Sequence, residues 1–368
     1  MQGRRRGRGT LRRVIARTLR LHFDAASRNA GTHVNLSAVR SEGRVLWVAG
    51  DETATVERLV ADDPEAATSF AGQVTFRLAD LVDLPGPADE EADVEGLARS
   101  GDFLWAVGSH SLKRKPVKAS HSEAKALRRL AQVAGQANRQ VLVRVPVVEV
   151  DGLPCLVREG MVGGKSVAAA AFGASGDDLR DLLADDPHVG PFLPIPGKDN
   201  GLDVEGIAVV GERVYLGLRG PVLRGWAFVL ELRPYVDDDD PTRLRLAPVA
   251  GSSAYRKHIL DLDGLGVRDL CPDGDDLLVL AGPTMDLDGP VRVFRWHGAC
   301  RAEAPSVLRG SDLTRELDLP YGEGDDHAEG IALLSEAGGT RLVVVYDSPA
   351  DARLGADGSV VADVVRLG

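Results

Sequence analysis

The chain has 368 residues, 44% of them hydrophobic, which is enough for two average domains or one large all-β domain. No run of 18 apolar residues occurs, which argues against a membrane-spanning helix and leaves no membrane partner to expect. Three widely spaced cysteines, Cys155, Cys271 and Cys300, form no C-x-x-C pair; they argue against a disulfide framework or zinc site and fit a reducing, cytoplasmic setting as small buried hydrophobes.

The net charge of −11 is unevenly placed, because the first 20 residues hold eight arginines and no acid. What remains has 36 Lys+Arg against 55 Asp+Glu, or −19. Residues 1–20 therefore read as a disordered basic tail and residues 21–368 as the folded domain. The leader lacks an apolar core and a small-residue cleavage site, so it is not a secretory or twin-arginine signal. An acidic body disfavours nucleic acid as a partner except through that tail.

In chain order, one unit recurs. Asn35-Leu36-Ser37-Ala38-Val39 precedes a Glu42-Gly43 turn and the apolar run Val45–Gly50. Asp93-Val94-Glu95-Gly96-Leu97-Ala98 precedes Gly101-Asp102 and Phe103–Gly108. Asp203-Val204-Glu205-Gly206-Ile207-Ala208 precedes Gly211-Glu212 and Arg213–Leu218, and Gly266–Leu270 precedes Gly274-Asp275 and Leu277–Ala281. Finally, His327-Ala328-Glu329-Gly330-Ile331-Ala332 leads through Gly338-Gly339 into Arg341–Tyr346.

From Ser37 the marked positions advance by 58 residues to Glu95, 110 to Glu205, 63 to Arg268 and 61 to Glu329. A fixed period near that of four-stranded blades predicts an all-β fold, a single β-propeller. The doubled step predicts a divergent blade at Val141–Arg158, where Asp151-Gly152 lies between apolar runs as in a hairpin. That makes six blades, with five or seven also compatible. Two short helical insertions are expected, one opened by Ser120–Glu123 with Ala124, Leu127, Leu130 and Ala134 on one face, the other by Ser175–Asp178 with Leu179, Leu182 and Leu183.

A hairpin places the start of its first strand beside the end of its second. If these hairpins are innermost, Glu95, Glu205, Glu329 and Asp203 ring the channel mouth, with Lys113, Arg219, Arg224 and Arg268 around them. Converging carboxylates repel unless neutralised, either by a hard divalent cation such as Ca²⁺ or Mg²⁺ or by arginine. The glycine after each glutamate would admit a neighbouring backbone or ligand. The same acids could instead simply join blade to blade. The stretch Gly160–Ser166 lacks the first glycine of a phosphate-binding loop, so no nucleotide cofactor is expected.

Lys198–Ala208 with Leu218–Gly225, together with Asp325–Ile331 and Leu280–Thr284, resembles an uncharacterised bacterial family, domain of unknown function 3616, over roughly residues 21–368. The repeated D-x-E-G-I-A is also similar, more remotely, to propellers with phytase-like esterase activity, among calcium-associated lactonases and phosphoesterases. That resemblance implies that Glu95, Glu205 and Glu329 are metal ligands, and the chain departs from it at Ser37 and Arg268.

The functional expectation is a metal-assisted hydrolase of a small anionic ester, a phosphoester or lactone. Glu95, Glu205, Glu329 and Asp203 would hold the cation. Arg219, Arg224, Lys113 and Arg268 would bind substrate, and His327 or His110 would carry the proton. The rival is a non-catalytic propeller that binds a small anionic ligand or a protein partner through the same face.

Overall fold

The computed structural model describes residues 15–174, 178–249, 251–336 and 339–367. The repeated apolar runs become the second strands of antiparallel hairpins. In Val45–Gly50, for example, Val45, Trp47 and Ala49 face one neighbour while Leu46 and Val48 face the other. Such strands are covered on both sides, which is why they read as continuous hydrophobic stretches without alternation.

The inner strands are Leu36–Glu42, Val94–Ser100, Asp203–Val210, Gly266–Asp273 and His327–Glu336. Each leads into a meander of further antiparallel strands. The five inner strands neighbour one another in a closed ring. Five hydrophobic clusters fill the five gaps between adjacent blades, and Cys271 lies buried in the one between the fourth and fifth. The fold is a β-propeller.

The described strands make five blades rather than six. Val141–Arg158 does contain the expected hairpin, with Asp151 (φ 53°) and Gly152 (φ 74°) at its turn. Its first strand, Leu142–Val150, pairs with Phe103–Gly108 and is the third strand of the second blade. The doubled spacing arises from insertions within that blade. Gly160–Ser166 lies in a small hairpin, Glu159–Val162 against Lys165–Ala168.

The boundary of the basic tail also moves. Ile15–His22 pairs with Ser359–Val365 as the outer strand of the fifth blade and buries Leu19 and Leu21, so Ile15–Arg20 belong to the propeller. Residues 1–14 of the expected tail lie outside the described residues. This strand also touches Ser69–Phe70 of the first blade, so the last blade is completed from the front of the chain.

The first insertion is a helix at Glu123–Leu130 capped by Ser122. The second is one turn at Leu179–Leu182 capped by Asp178, with Leu179 and Leu183 buried; Ser175–Asp177 lie outside the described residues.

One side chain crosses the axis. Arg40, from the first blade, makes two hydrogen bonds to Asp269 of the fourth, at 2.9 and 2.7 Å. It also donates to the carbonyls of Ile207 (3.0 Å), Ile331 (2.8 Å) and Leu270 (2.7 Å). Asp269 in turn accepts from the backbone N–H of Ile331 and Leu270. Both residues are buried. Breaking one half of such a pair strands a buried charge, so Arg40→Ala or Asp269→Ala should cost about 3–5 kcal/mol in denaturant unfolding. Replacing the two together by Met and Leu should cost much less, which the same titration measures.

Candidate functional site

The position marked by Ser37, Glu95, Glu205, Arg268 and Glu329 has a common structural cause. In every blade the pairing of the inner hairpin slips there: Val94 faces Gly108 while Gly96 already faces Val107. The same slip skips Ser37, Glu205, Arg268 and Glu329. A bulged residue leaves the ladder and re-aims its side chain, and the acidic bulges line a cavity at the mouth. The glycine that follows is a packing requirement. A Cβ on Gly96 would lie 2.8 Å from Ile207 of the next blade, and one on Gly206 would lie 3.0 Å from the backbone of Asp269.

The expected metal set divides. Arg219 is buried and bridges Asp203 and Glu205, at 2.6 Å each. Arg268 pairs with Glu329 and lies 3.3 Å from Glu205. Arginine thus neutralises three of the four proposed ligands, Asp203, Glu205 and Glu329, a role that the sequence left open between cation and arginine. Glu95 has no ion pair or hydrogen bond among the described residues. It instead stands with Asp51 and Asp93, one carboxylate oxygen of each within 4.8 Å of the others.

Asp51 follows Gly50 at the end of a second strand, the place that Arg219 and Asp347 occupy in their own blades. Its Oδ1 and the Oε2 of Glu205 are buried without a hydrogen-bond donor. Asp93 is held by Arg139, a buried side chain from the second blade's insertion that also contacts Glu91 at 2.8 Å and Ser111 at 2.9 Å.

Two adjoining cavities open from this mouth. The acidic one, about 460 Å³, is lined by Asp51, Asp93, Glu95 and Glu205 and bordered by Lys113 and Lys115. The second, about 340 Å³, holds Arg268 and His327, and Lys198, Arg219 and Glu329 belong to both. Lys198 is exposed and has no ion pair among the described residues.

Lys113 borders the acidic cavity but is paired with Glu91. His327 lies 3.4 Å from Asp288. Two expected residues are not at the mouth. Arg224 is exposed at the tip of the turn joining Leu223 to Trp226 and lines neither cavity. His110 is completely buried, with neither ring nitrogen hydrogen-bonded; burial and Arg180 lower its pKa to about 3, so it is no proton carrier for the mouth. Sequence reasoning missed Asp51 and Arg139 as site residues, although Asp51 could have been found by extending the second-strand alignment by one residue.

Burial and the neighbouring acids Asp347, Glu329 and Asp93 push Asp51 up to about 8. Burial raises Asp93 to about 7 against the pull of Arg139, and Glu205 to about 7 against Arg219 and Arg268. Glu95 is held well above the ordinary carboxylate range by burial and by Asp93, Glu205 and Asp51. The folded state therefore binds more protons than the unfolded chain between about pH 4 and 8, so stability falls as pH rises through that window. Without added metal, the melting temperature should decline from pH 5 to pH 8, and Asp51→Asn should flatten the decline. Thermal melts across pH measure both.

A family model described as a protein of unknown function (DUF3616) matches residues 35–363. No curated protein matches the sequence. Among solved structures, the chain is similar to Myxococcus xanthus glutaminyl cyclase (10% identity, 96% of this chain and 95% of that one, TM-score 0.40). It is also similar to the PQQ-bound aldose sugar dehydrogenase of Streptomyces coelicolor (14% identity, 95% and 97%, TM-score 0.38). A third likeness is to the Malassezia sympodialis allergen Mala s 1 (9% identity, 95% and 96%, TM-score 0.44). The chain belongs to the DUF3616 family.

Proposed function

We propose that this DUF3616 member binds a divalent cation, Ca²⁺ or Mg²⁺, through Asp51, Asp93 and Glu95 and uses it to hydrolyse a small anionic ester, a phosphoester or lactone. The observation that carries this reading is the Asp51–Asp93–Glu95 cluster, in which only Asp93 has an arginine, Arg139, while Asp203, Glu205 and Glu329 elsewhere in the mouth are all paired with arginines. All-oxygen, carboxylate-rich donors suit hard divalent cations. Such a cation, when bound, would polarise the ester and make water more acidic.

The chain's own residues divide the remaining work. Lys198, unpaired and shared by both cavities, would receive the anionic group of the substrate. Arg219 and Arg268 are occupied by Asp203, Glu205 and Glu329 and so hold the wall of the site in place. His327, beside Asp288, is the candidate for proton transfer from the second cavity. The cavity volumes favour a substrate of small-molecule size.

Calorimetric titration of chelator-treated protein with Ca²⁺, Mg²⁺ and Mn²⁺ tests the cation. One equivalent should bind, with proton release and with affinity rising as the carboxyls ionise. Asp51→Asn and Glu95→Gln should each weaken binding by roughly 10–100-fold or more. Turnover of p-nitrophenyl phosphate esters or of a lactone should depend on the cation and vanish in Glu95→Gln. If no cation binds or stabilises the protein, the hydrolase reading fails. If a cation binds but no ester in the panel turns over, the mouth is a non-catalytic binding site.

A further inference from the structure

Beside the mouth, the least explained part of the molecule is the excursion from Lys113 to Ala134. Lys113–Arg114 pairs with Val133–Ala134, and the chain between them carries the helix Glu123–Leu130. That helix buries none of its residues. Leu127 is 70% exposed and Leu130, one turn on, is 48% exposed; Val117 and Val133 are also open to solvent. An eight-residue helix has little stability of its own in water, because helices draw most of it from packing an apolar face. Leu127 and Leu130 therefore present an apolar stripe that the fold leaves largely uncovered.

The charge of this segment is the reverse of the rest. Seven Lys and Arg residues lie between Lys113 and Val133 against one acid, Glu123, in a chain of net charge −11. Arg114 is tied to Asp199, and Arg129 to the Pro116 carbonyl. Lys115, Lys118, Lys125 and Arg128 have no ion pair among the described residues. Exposed apolar side chains interleaved with unpaired cations are the composition of helices that lie in a lipid interface. A protein partner fits less well, since lysine is depleted in protein interfaces. A nucleic acid would leave Leu127 and Leu130 in water.

We propose that the Lys113–Ala134 excursion is a peripheral docking element for an anionic lipid bilayer. Leu127 and Leu130 enter the headgroup boundary, and the cations meet lipid phosphates. No helix among the described residues is long and apolar enough to cross a membrane, and peripheral docking needs none. The absence of a spanning segment had left no membrane partner to expect; a surface contact of this kind revises that expectation. Lys113–Pro116 and Leu130 also line the acidic cavity, so docking turns the mouth toward the membrane. The proposal does not require catalysis there.

The test is co-sedimentation of the full chain with phosphatidylcholine vesicles, with or without phosphatidylglycerol. The protein should partition onto the anionic vesicles only, and less at high salt. The pairs Leu127→Ser with Leu130→Ser and Lys125→Glu with Arg128→Glu should each lower partitioning by about tenfold or more. Their melting temperatures should change little, because these side chains stand largely in solvent. Absence of partitioning overturns the proposal. So does equal partitioning of wild type and variants, which would assign binding to another part of the chain such as the arginine-rich leader. Binding of polyglutamate without vesicle binding overturns it in favour of an acidic protein partner.

Discussion

The Arg40–Asp269 pair is the constraint on which the rest of the mouth depends. A five-bladed ring leaves a narrow axis that apolar side chains alone do not fill, because the inner strands bring backbone carbonyls close to it. Arg40 spends its guanidinium on the carbonyls of three blades beyond its own and on Asp269, so the axis is closed by satisfied polar groups. Both residues are buried. Burial in the mouth raises the carboxyls of Asp51, Asp93 and Glu205.

Above this plug, one backbone device is used five times. The bulge frees a side chain from the ladder, and the residue type at the bulge decides what each blade contributes: serine, glutamate, glutamate, arginine, glutamate. Arg268 replaces an acid and so neutralises Glu329 of the next blade. Ser37, uncharged, donates to the Val94 carbonyl at 2.5 Å and leaves Glu95 without a counter-charge. The uneven distribution of arginines separates a fully paired half of the mouth from one in which Asp51 and Glu95 have no cation. The two degenerate repeats thus create the asymmetry that makes a cation site conceivable.

Much of this was legible in the sequence because repetition is a local property. The repeat identified the propeller, the inner hairpins and the face on which Glu95, Glu205 and Glu329 stand. Blade number was misjudged because spacing cannot distinguish an extra blade from insertions within one, and the hairpin at Asp151-Gly152 has the same signature in either place. Arg139 comes from a connection outside the repeat, and no period marks it. Arg40 lies three residues beyond the Ser37 bulge and finds Asp269 across 229 positions, a pairing that only ring closure brings about. His110 and Arg224 were placed by adjacency to strand ends, but a left-handed residue at each position turns the chain (φ 53° and 51°), and the side chains end in the interior and at a turn tip.

The central claim is that the carboxylates of Asp51, Asp93 and Glu95, of which Asp51 and Glu95 have no ion pair among the described residues, are a cation site. Anomalous diffraction from crystals soaked in Mn²⁺ tests it most directly. The account predicts a single strong peak within coordinating distance of all three side chains, abolished in Glu95→Gln crystals. No peak at the mouth, or a peak among Asp203, Glu205 and Glu329 with the arginines displaced, would contradict it.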